Sequence, residues 1–581
     1  MKITRGSFAH PGTSLQFDTG SWRVQRPEHR HVAAPCHAAC PAGEDAQAWL
    51  ALVEEERFRE AWETIVAVNP MPAITGRVCH HPCEVACNRA GYDEAIAIHH
   101  VERYLGDMAL QEGWAYPPVP QSAPAGEVAV VGAGPAGCSA AYHLARRGYR
   151  VKLFEALPQA GGLLRSAIPP YRLPVAVAEQ ELGRLLAHGI EFMPGQHLGR
   201  DFSVEELQSG FGAVFLGIGT QRSRDWSIDG VTPTDLHVGL VLLREWMDVG
   251  ALPTWSSVAI VGAGNTAVDL ARVLKLAGVP EVHIISHKAI PGPGIEAQDA
   301  MPAISREIEQ ALEEGVVIHE HRGVQRLILR GEQVIGLELV HMKKLADASG
   351  RLKRVAFEGT ESMLHVEQVI PAIGQIVDPA GVRELLGQRS YFRVDAQGRF
   401  PEQPNLFTGG DARGDRGTVS EAIGDGRRAA VAMDRFLRQG DAGSQPADAV
   451  PVVLEQINLN YFEPAARAGV TLLDVAQRSG SAEIESGLAH AQAVGEGQRC
   501  FSCGNCLVCD NCWTLCPDVA VLKTQQPVAD GSYYVFDYGY CKGCGLCARE
   551  CPTGYIVMQD EVQIHSTGVS ARSAHSDHEP G

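Results

Sequence analysis

Eight cysteines fall into two copies of one pattern, Cys506-x2-Cys509-x2-Cys512-x3-Cys516-Pro517 and Cys541-x2-Cys544-x2-Cys547-x3-Cys551-Pro552. Three thiolates at x2 spacing lie on one tight loop and can close around a single iron–sulfur cube. The fourth, three residues on and followed by proline, is thrown clear of that loop. A zinc site would use CxxC pairs separated by a longer loop. The C-terminal end is thus suited to moving single electrons. Cys500 and Cys503 extend the x2 rhythm backwards, as a further metal site, a shifted register or two free thiols.

Two glycine turns carry the second kind of chemistry. Gly132-Ala133-Gly134-Pro135-Ala136-Gly137 follows the apolar run Val128 to Val131 and precedes a helical pattern. The first glycine permits a tight turn and the second lets backbone N–H groups approach a pyrophosphate. The third lets the helix pack close on the strand, its N-terminus toward the phosphates. Val151 to Glu155 supplies the next strand, ending in an acid placed for a ribose hydroxyl. The second turn, Gly262-Ala263-Gly264-Asn265-Thr266-Ala267, has the same context, but its next strand ends in Ser286-His287-Lys288. Without a carboxylate there, His287 and Lys288 suit a 2′-phosphate, which favours NADP over NAD; a solvated lysine is the plainer alternative.

These sites need elements to hold them. A chain of 581 residues, 45% hydrophobic and with no apolar run near about 18 residues, implies three or four domains and no membrane span. The first residues lack an apolar secretory core, so the expected compartment is the reducing cytoplasm, where clustered cysteines mean metal. A formal charge of −19 argues against nucleic acid as a partner. Composition and periodicity divide the chain into an extended arm (1–30), a helical domain (31–115) whose first long helix follows Asp45, and a proline-rich linker. Then come an α/β region (126–440), in which resemblance to a known family implies a second α/β unit (251–365) inserted between 126–250 and 366–440, a connector (441–496), the cysteine-rich module (497–565) and a disordered tail (566–581).

The stretch from Cys36 to about Leu437 resembles the small subunit of bacterial glutamate synthase and the matching half of dihydropyrimidine dehydrogenase. The resemblance rests on Asn69-Pro70, Gly76-Arg77-Val78-Cys79, Cys83-Glu84, Cys87, Glu102-Arg103, Gly161-Gly162-Leu163, Ile168-Pro169-x-Tyr171-Arg172-Leu173-Pro174, Met301-Pro302, Pro371 to Gln375 and Gly409-Gly410-Asp411. It implies that the first glycine turn binds FAD and that the second, in an inserted Rossmann-like domain, binds NAD(P). It also implies that Gly162, Leu163, Arg172, Gly217, Gly374, Gly410, Asp411, Ala422 and Ile423 belong to the cofactor sites, and that the helix after Thr418 presents its N-terminus to the flavin. It further implies one N-terminal [4Fe-4S] cluster held by Cys40, Cys79, Cys83 and Cys87. Larger relatives carry ligands for a second; here only Cys36, His29, His31 and His37 are at hand, and Cys36 is left as an alternative or spare ligand. The C-terminal module resembles a two-cluster bacterial ferredoxin of α+β fold. That implies ligand sets Cys506, Cys509, Cys512 with Cys551, and Cys541, Cys544, Cys547 with Cys516, three [4Fe-4S] clusters in all. Cys138 reads as a packing residue.

No stretch remains for a domain that would bind an organic substrate, and no His/Asp or Cys/His pair stands out as acid–base machinery. Hydride transfer by FAD needs no catalytic side chain, and electrons must cross to another protein. The expected function is an NAD(P)H-linked FAD/iron–sulfur subunit of a hetero-oligomer. Its partner would be the substrate-converting subunits of a 2-oxoacid:acceptor oxidoreductase, which the C-terminal module resembles in its attachment, or ferredoxin. A glutamate synthase small subunit, a stand-alone NAD(P)H:ferredoxin oxidoreductase and a non-catalytic electron relay are the alternatives.

Overall fold

The computed structural model describes residues 20–30, 33–119, 125–228, 237–331, 333–346, 352–414, 417–438, 450–528 and 531–561. The arm is thus described from Gly20 and the connector from Val450, while His31 and the expected tail 566–581 lie outside the described residues.

The apolar run at Val128 predicts a strand covered on both faces. Glu127–Val131 lies inside a six-stranded sheet, paired in parallel with Arg150–Glu155 on one side and Ala213–Leu216 on the other. Ile190–Pro194 extends it beyond the first neighbour, and Gln403–Thr408 with the short Arg399–Phe400 extends it beyond the second. The helices Pro135–Arg146 and Val419–Leu437 cross each other closely: a Cβ on Gly426 would sit 2.2 Å from the Ala136 carbonyl oxygen. The inserted unit has its own parallel sheet, ordered Gln368–Pro371, Ser257–Val261, Glu281–Ile285, Val317–His319. An antiparallel sheet of Arg322–Arg330, Gln333–Ala346, Leu352–Ala356 and Ser362–His365 is added to it.

The N-terminal unit is helical, and Asp45 caps Ala46–Glu54 by accepting from the Ala48 N–H at 3.1 Å. Helix Pro72–Val78 is capped from another domain, where Glu181 accepts from the Ala73 and Ile74 N–H groups at 2.9 and 2.8 Å. Tyr142 donates to the Val66 carbonyl at 2.9 Å, and His143 Nε2 lies 3.0 Å from that of Val68. The helical unit is therefore bolted to the first α/β domain. Residues of the arm join the far end of the chain: Gln25–His29 pairs antiparallel with Ile556–Asp560, His29 opposite Ile556. The extended arm serves as an edge strand of the cysteine-rich module, a pairing between elements more than 500 residues apart that local sequence does not encode.

Candidate cofactor and metal centres

The first glycine turn is shaped by what a side chain would obstruct. A Cβ on Gly132 would lie 2.4 Å from the Gly217 carbonyl oxygen, and one on Gly137 1.8 Å from that of Gly132. Gly217 thus backs the turn. Gly162 and Gly410 close in from two other loops, each with positive φ; a Cβ on the former would lie 3.0 Å from the Gly134 Cα, and on the latter 3.0 Å from the Ala136 Cβ. Glu155 is buried and accepts from the Ala133 N–H at 2.6 Å and the Leu157 N–H at 2.9 Å, so its carboxylate faces the turn. Asp425 ties the opposite wall together, accepting from Gly410 N–H at 2.9 Å and from Arg413 and Arg428, each at 2.7 Å. Burial and the neighbouring Glu421 and Asp425 push Asp411 upward. Thr418 caps the helix Val419–Leu437 by accepting from the Glu421 N–H at 3.2 Å; Ala422 packs under Gly410 and the Ile423 carbonyl accepts from Ser139 at 2.7 Å. A turn with no side chains at the phosphate positions, an acid at the second strand and a free helix N-terminus fit a flavin dinucleotide.

Arg172 departs from expectation. It is buried between two carboxylates of the inserted unit, Nη1 donating to both oxygens of Asp269 at 2.8 Å and Nε 3.1 Å from Glu307, a strut between domains. Leu163 packs against the core of the inserted unit. Gly374, at φ +109°, lies in the loop between the strands Gln368–Pro371 and Gln375–Ile376, its carbonyl accepting from the Arg224 N–H at 3.1 Å.

At the second turn a Cβ on Gly264 would meet no atom within 4 Å, while one on Gly262 would strike the Ala372 carbonyl oxygen at 2.4 Å. The front is open to a pyrophosphate and the back is closed, and Thr266 and Ala267 begin the helix Asn265–Leu276 behind it. Asn265 accepts from the Ile304 N–H at 3.0 Å and reaches His80 Nε2 at 3.0 Å, so the turn touches the cysteine-bearing helical unit. His287 is pushed down to about 4 by burial, then by Arg354, Lys288 and Lys344. The cationic group is therefore larger than His287 and Lys288: Lys344 and Arg354 come from the added antiparallel sheet, which motif reading could not align with this turn.

The cysteines sort into four groups. Cys512 lies within electrostatic reach of Cys506, Cys509 and Cys551, and Cys547 of Cys541, Cys544 and Cys516. The second of these groups lines a cavity with Pro27 of the arm and Val521. Cys40, Cys79 and Cys83 face one another beside the buried carboxylates of Glu44 and Glu102. Burial pushes Cys79 up to about 12 and raises Cys40 and Cys83 as well, so these would be inert thiols unless a metal held them as thiolates. Cys79 Sγ touches Ser420 Oγ at 3.4 Å and receives the His81 N–H at 3.3 Å. Cys87 is not in this group. It caps the turn Asn88–Gly91 and meets Cys36, Cys500 and Cys503. The expected set of Cys40, Cys79, Cys83 and Cys87 is corrected accordingly: x3 spacing between Cys83 and Cys87 spans the helix end at Val85, which turns the two thiols toward different neighbours. Among the described residues no three thiols lie within 4.8 Å of one another. A tetrahedral zinc site would hold its thiolates about 3.8 Å apart, whereas a polynuclear cluster sits among wider ones. Cys138 is buried in the flavin turn, its thiol 3.2 Å from the Ala133 carbonyl oxygen.

Comparison with known proteins finds three family matches along the chain. Residues 126–426 match the family described as pyridine nucleotide-disulphide oxidoreductase, residues 29–114 dihydropyrimidine dehydrogenase domain II with a 4Fe-4S cluster, and residues 534–556 a 4Fe-4S binding domain. The NADP(+)-dependent formate dehydrogenase subunit beta of Moorella thermoacetica is 33% identical over 510 residues, covering 81% of this chain and 71% of the relative. The NADPH-Fe(3+) oxidoreductase subunit beta of Geobacter sulfurreducens is 32% identical over 535 residues, with coverage of 84% and 78%. A glutamate synthase [NADPH] small chain of Mycobacterium tuberculosis is 30% identical over 453 residues, with coverage of 74% and 91%.

Proposed function

We propose, for a chain that belongs to the pyridine nucleotide-disulphide oxidoreductase family, that it is the electron-exchanging subunit between NADP(H) and a partner protein that converts the substrate. The chain is an NAD(P)H-dependent flavin iron–sulfur oxidoreductase. The observation that carries the subunit reading is the helix Val419–Leu437: its first turn places Ala422 under Gly410, which closes on the first glycine turn at Ala136, and Ser420 on the Cys79 thiol.

Gly132 to Gly137, Glu155, Gly162, Gly410, Asp411, Ala422 and Ile423 would hold FAD, and Gly262 to Ala267 with His287 and Lys288 would hold NADP. Cys40, Cys79 and Cys83, with Glu102 beside them as an oxygen donor, and the two ferredoxin-like sets would hold [4Fe-4S] clusters. When bound, FAD supplies the exchange between hydride and single electrons. The chain's own part is positional. The start of the Val419–Leu437 helix directs its positive end at the flavin site, and Asn265 with His80 joins the nicotinamide domain to the cysteine-bearing unit.

No described helix is long and apolar enough to cross a membrane, and the cytoplasm is the compartment this chemistry suits. The partner reading follows the C-terminal module, which resembles those of 2-oxoacid:acceptor oxidoreductases. A formate-oxidising partner is the second reading, favoured by the name of the Moorella relative. Purification of the native complex, followed by NADP+ reduction assays with 2-oxoacids plus coenzyme A and with formate, separates the two. Anaerobic NADPH titration of the isolated chain tests the reading as a whole. The visible flavin band should bleach at about one equivalent, and an unbleached band would overturn it.

A further inference from the structure

Three of the cysteines left over by the expected cluster sets, Cys36, Cys500 and Cys503, meet Cys87, and the four come from opposite ends of the chain. Cys36 lies in the first turn of the short helix Pro35–Ala39, Cys87 immediately precedes the turn Asn88–Gly91, and Cys500 and Cys503 follow the helix His490–Arg499. Cys36 meets, in decreasing strength of interaction, Cys500, Cys87 and Cys503, and it is buried with Cys503 in one apolar cluster against which Cys87 and Cys500 pack.

The meeting is built. Helix His490–Arg499 lies so close to Ala46–Glu54 that a Cβ on Gly497 would sit 2.9 Å from the Glu54 nitrogen and 3.0 Å from the Leu50 carbonyl oxygen. Glu496 accepts from the Ala97 N–H at 2.7 Å, and Arg499 donates to the Glu94 carbonyl at 2.8 Å. Arg89, two residues past Cys87, donates to the Arg499 carbonyl beside Cys500 and lies over Phe501 at 4.9 Å. Phe462 covers the same ring at 4.5 Å. Sulfur acceptors are already supplied with donors: Asn88 Nδ2 lies 3.5 Å from Cys503 Sγ and the Ser502 N–H points to Cys500 Sγ at 3.4 Å. Such N–H groups stabilise ligating thiolates and tune a cluster's potential. No three of these thiols fall within the 4.8 Å that enclosure of one ion would bring.

We infer that Cys36, Cys87, Cys500 and Cys503 form a fourth iron–sulfur site, of the [4Fe-4S] class, assembled across the junction of the helical unit and the ferredoxin-like module. The site explains why the x2 rhythm runs on from Cys500 to Cys506: Cys503 belongs to this site and Cys506, one x2 step later, to the next. An electron accepted from the Cys40, Cys79 and Cys83 side, where Cys83 and Cys87 lie on either side of the helix end at Val85, is passed on to the Cys506 side with no net change here. Cys138 is then the only thiol outside the four groups.

This inference rests on the iron–sulfur reading of the other three groups, and the experiment separates the two. The anaerobically reconstituted wild-type chain should hold about sixteen irons and show four reducible clusters by redox-titrated EPR, rather than about twelve and three. C500S/C503S should lose about a quarter of the iron and one EPR component, keep FAD and the remaining signals, and match C36S/C87S, which removes the same site from the other end of the chain; C138S should lose none. About twelve irons in the wild type, or iron unchanged in C500S/C503S, overturns the fourth site. No iron in the wild type overturns the iron–sulfur reading as a whole.

Discussion

The two cysteine regions hold metal-binding patterns of the same residue type, yet they are specified in opposite ways. From Cys506 to Cys551 every group member lies in one continuous stretch, on loops closed by single-turn helices, Asn511–Thr514 and Leu546–Arg549, and a short hairpin of Val521–Lys523 with Tyr534–Phe536. In the N-terminal region the groups draw on residues 36 to 40, 79 to 87 and 500 to 503, and hold together only because several domains pack. A locally written site needs little beyond its loop. An assembled site inherits every weakness of the interfaces that make it.

The largest expected effect follows from that difference. Gly424 faces the Cys40–Pro41 loop so closely that a Cβ would sit 2.0 Å from the Pro41 carbonyl oxygen, and Arg428 donates to the same oxygen at 3.0 Å. Gly424→Val should lever the helix Val419–Leu437 off the cysteine loop. The EPR signals of the C-terminal module should survive, while their reduction by NADPH in stopped flow slows at least about tenfold, a barrier increase of about 1.4 kcal/mol. Unchanged rates would mean that this helix is not the bridge, and loss of the C-terminal signals would erase the distinction between local and assembled sites.

The same distinction sets what could be read from the chain alone. Both glycine turns, Glu155 and the eight C-terminal cysteines were legible because each depends on a fixed spacing within one strand, turn and helix or one loop. The parallel sheets were legible from apolar runs too uniform for exposed strands. Arg172 was not legible as an interdomain strut, because its motif marks a loop and not what the loop touches; its carboxylate partners lie about 100 or more residues on, at Asp269 and Glu307. The resemblance implies one set of Cys40, Cys79, Cys83 and Cys87, which the helix end between Cys83 and Cys87 divides. Cys500 and Cys503 could have been placed only by noticing that the N-terminal region had two thiols too few for a second cluster and the C-terminal region two too many.

Nucleotide choice offers a smaller effect along the same line. His287 and Lys288 are written into the turn, whereas Lys344 and Arg354 are brought to it by the antiparallel sheet. K344A/R354A should raise KM for NADPH about tenfold, about 1.4 kcal/mol, with KM for NADH unmoved. His287, depressed to about 4, is neutral at pH 7 and lends no charge there, so His287→Asn should change KM for NADPH by less than about twofold. If His287→Asn costs more than the double variant, the local motif carries the recognition and the remote pair does not.

The smallest effect concerns the interface on which the N-terminal groups depend. His143, on the helix behind the flavin turn, is buried and pushed down to about 3 by that burial, although Nε2 directed at the Val68 carbonyl at 3.0 Å pulls the other way. An unfolded histidine titrates near about 6.5. Between these values the unfolded chain binds a proton that the folded chain does not, so this residue's contribution is fully present above about pH 6.5 and is lost as pH falls toward 3, at up to about 1.4 kcal/mol per unit. His143→Phe removes the titration together with the bond to Val68. The variant should be less stable at pH 7 by about 1 kcal/mol, yet its urea midpoint should fall less steeply between pH 7 and 5 than that of the wild type. Equal slopes would show that acid lability enters elsewhere, and that the joint between the helical unit and the flavin domain is not where the assembled region first gives way.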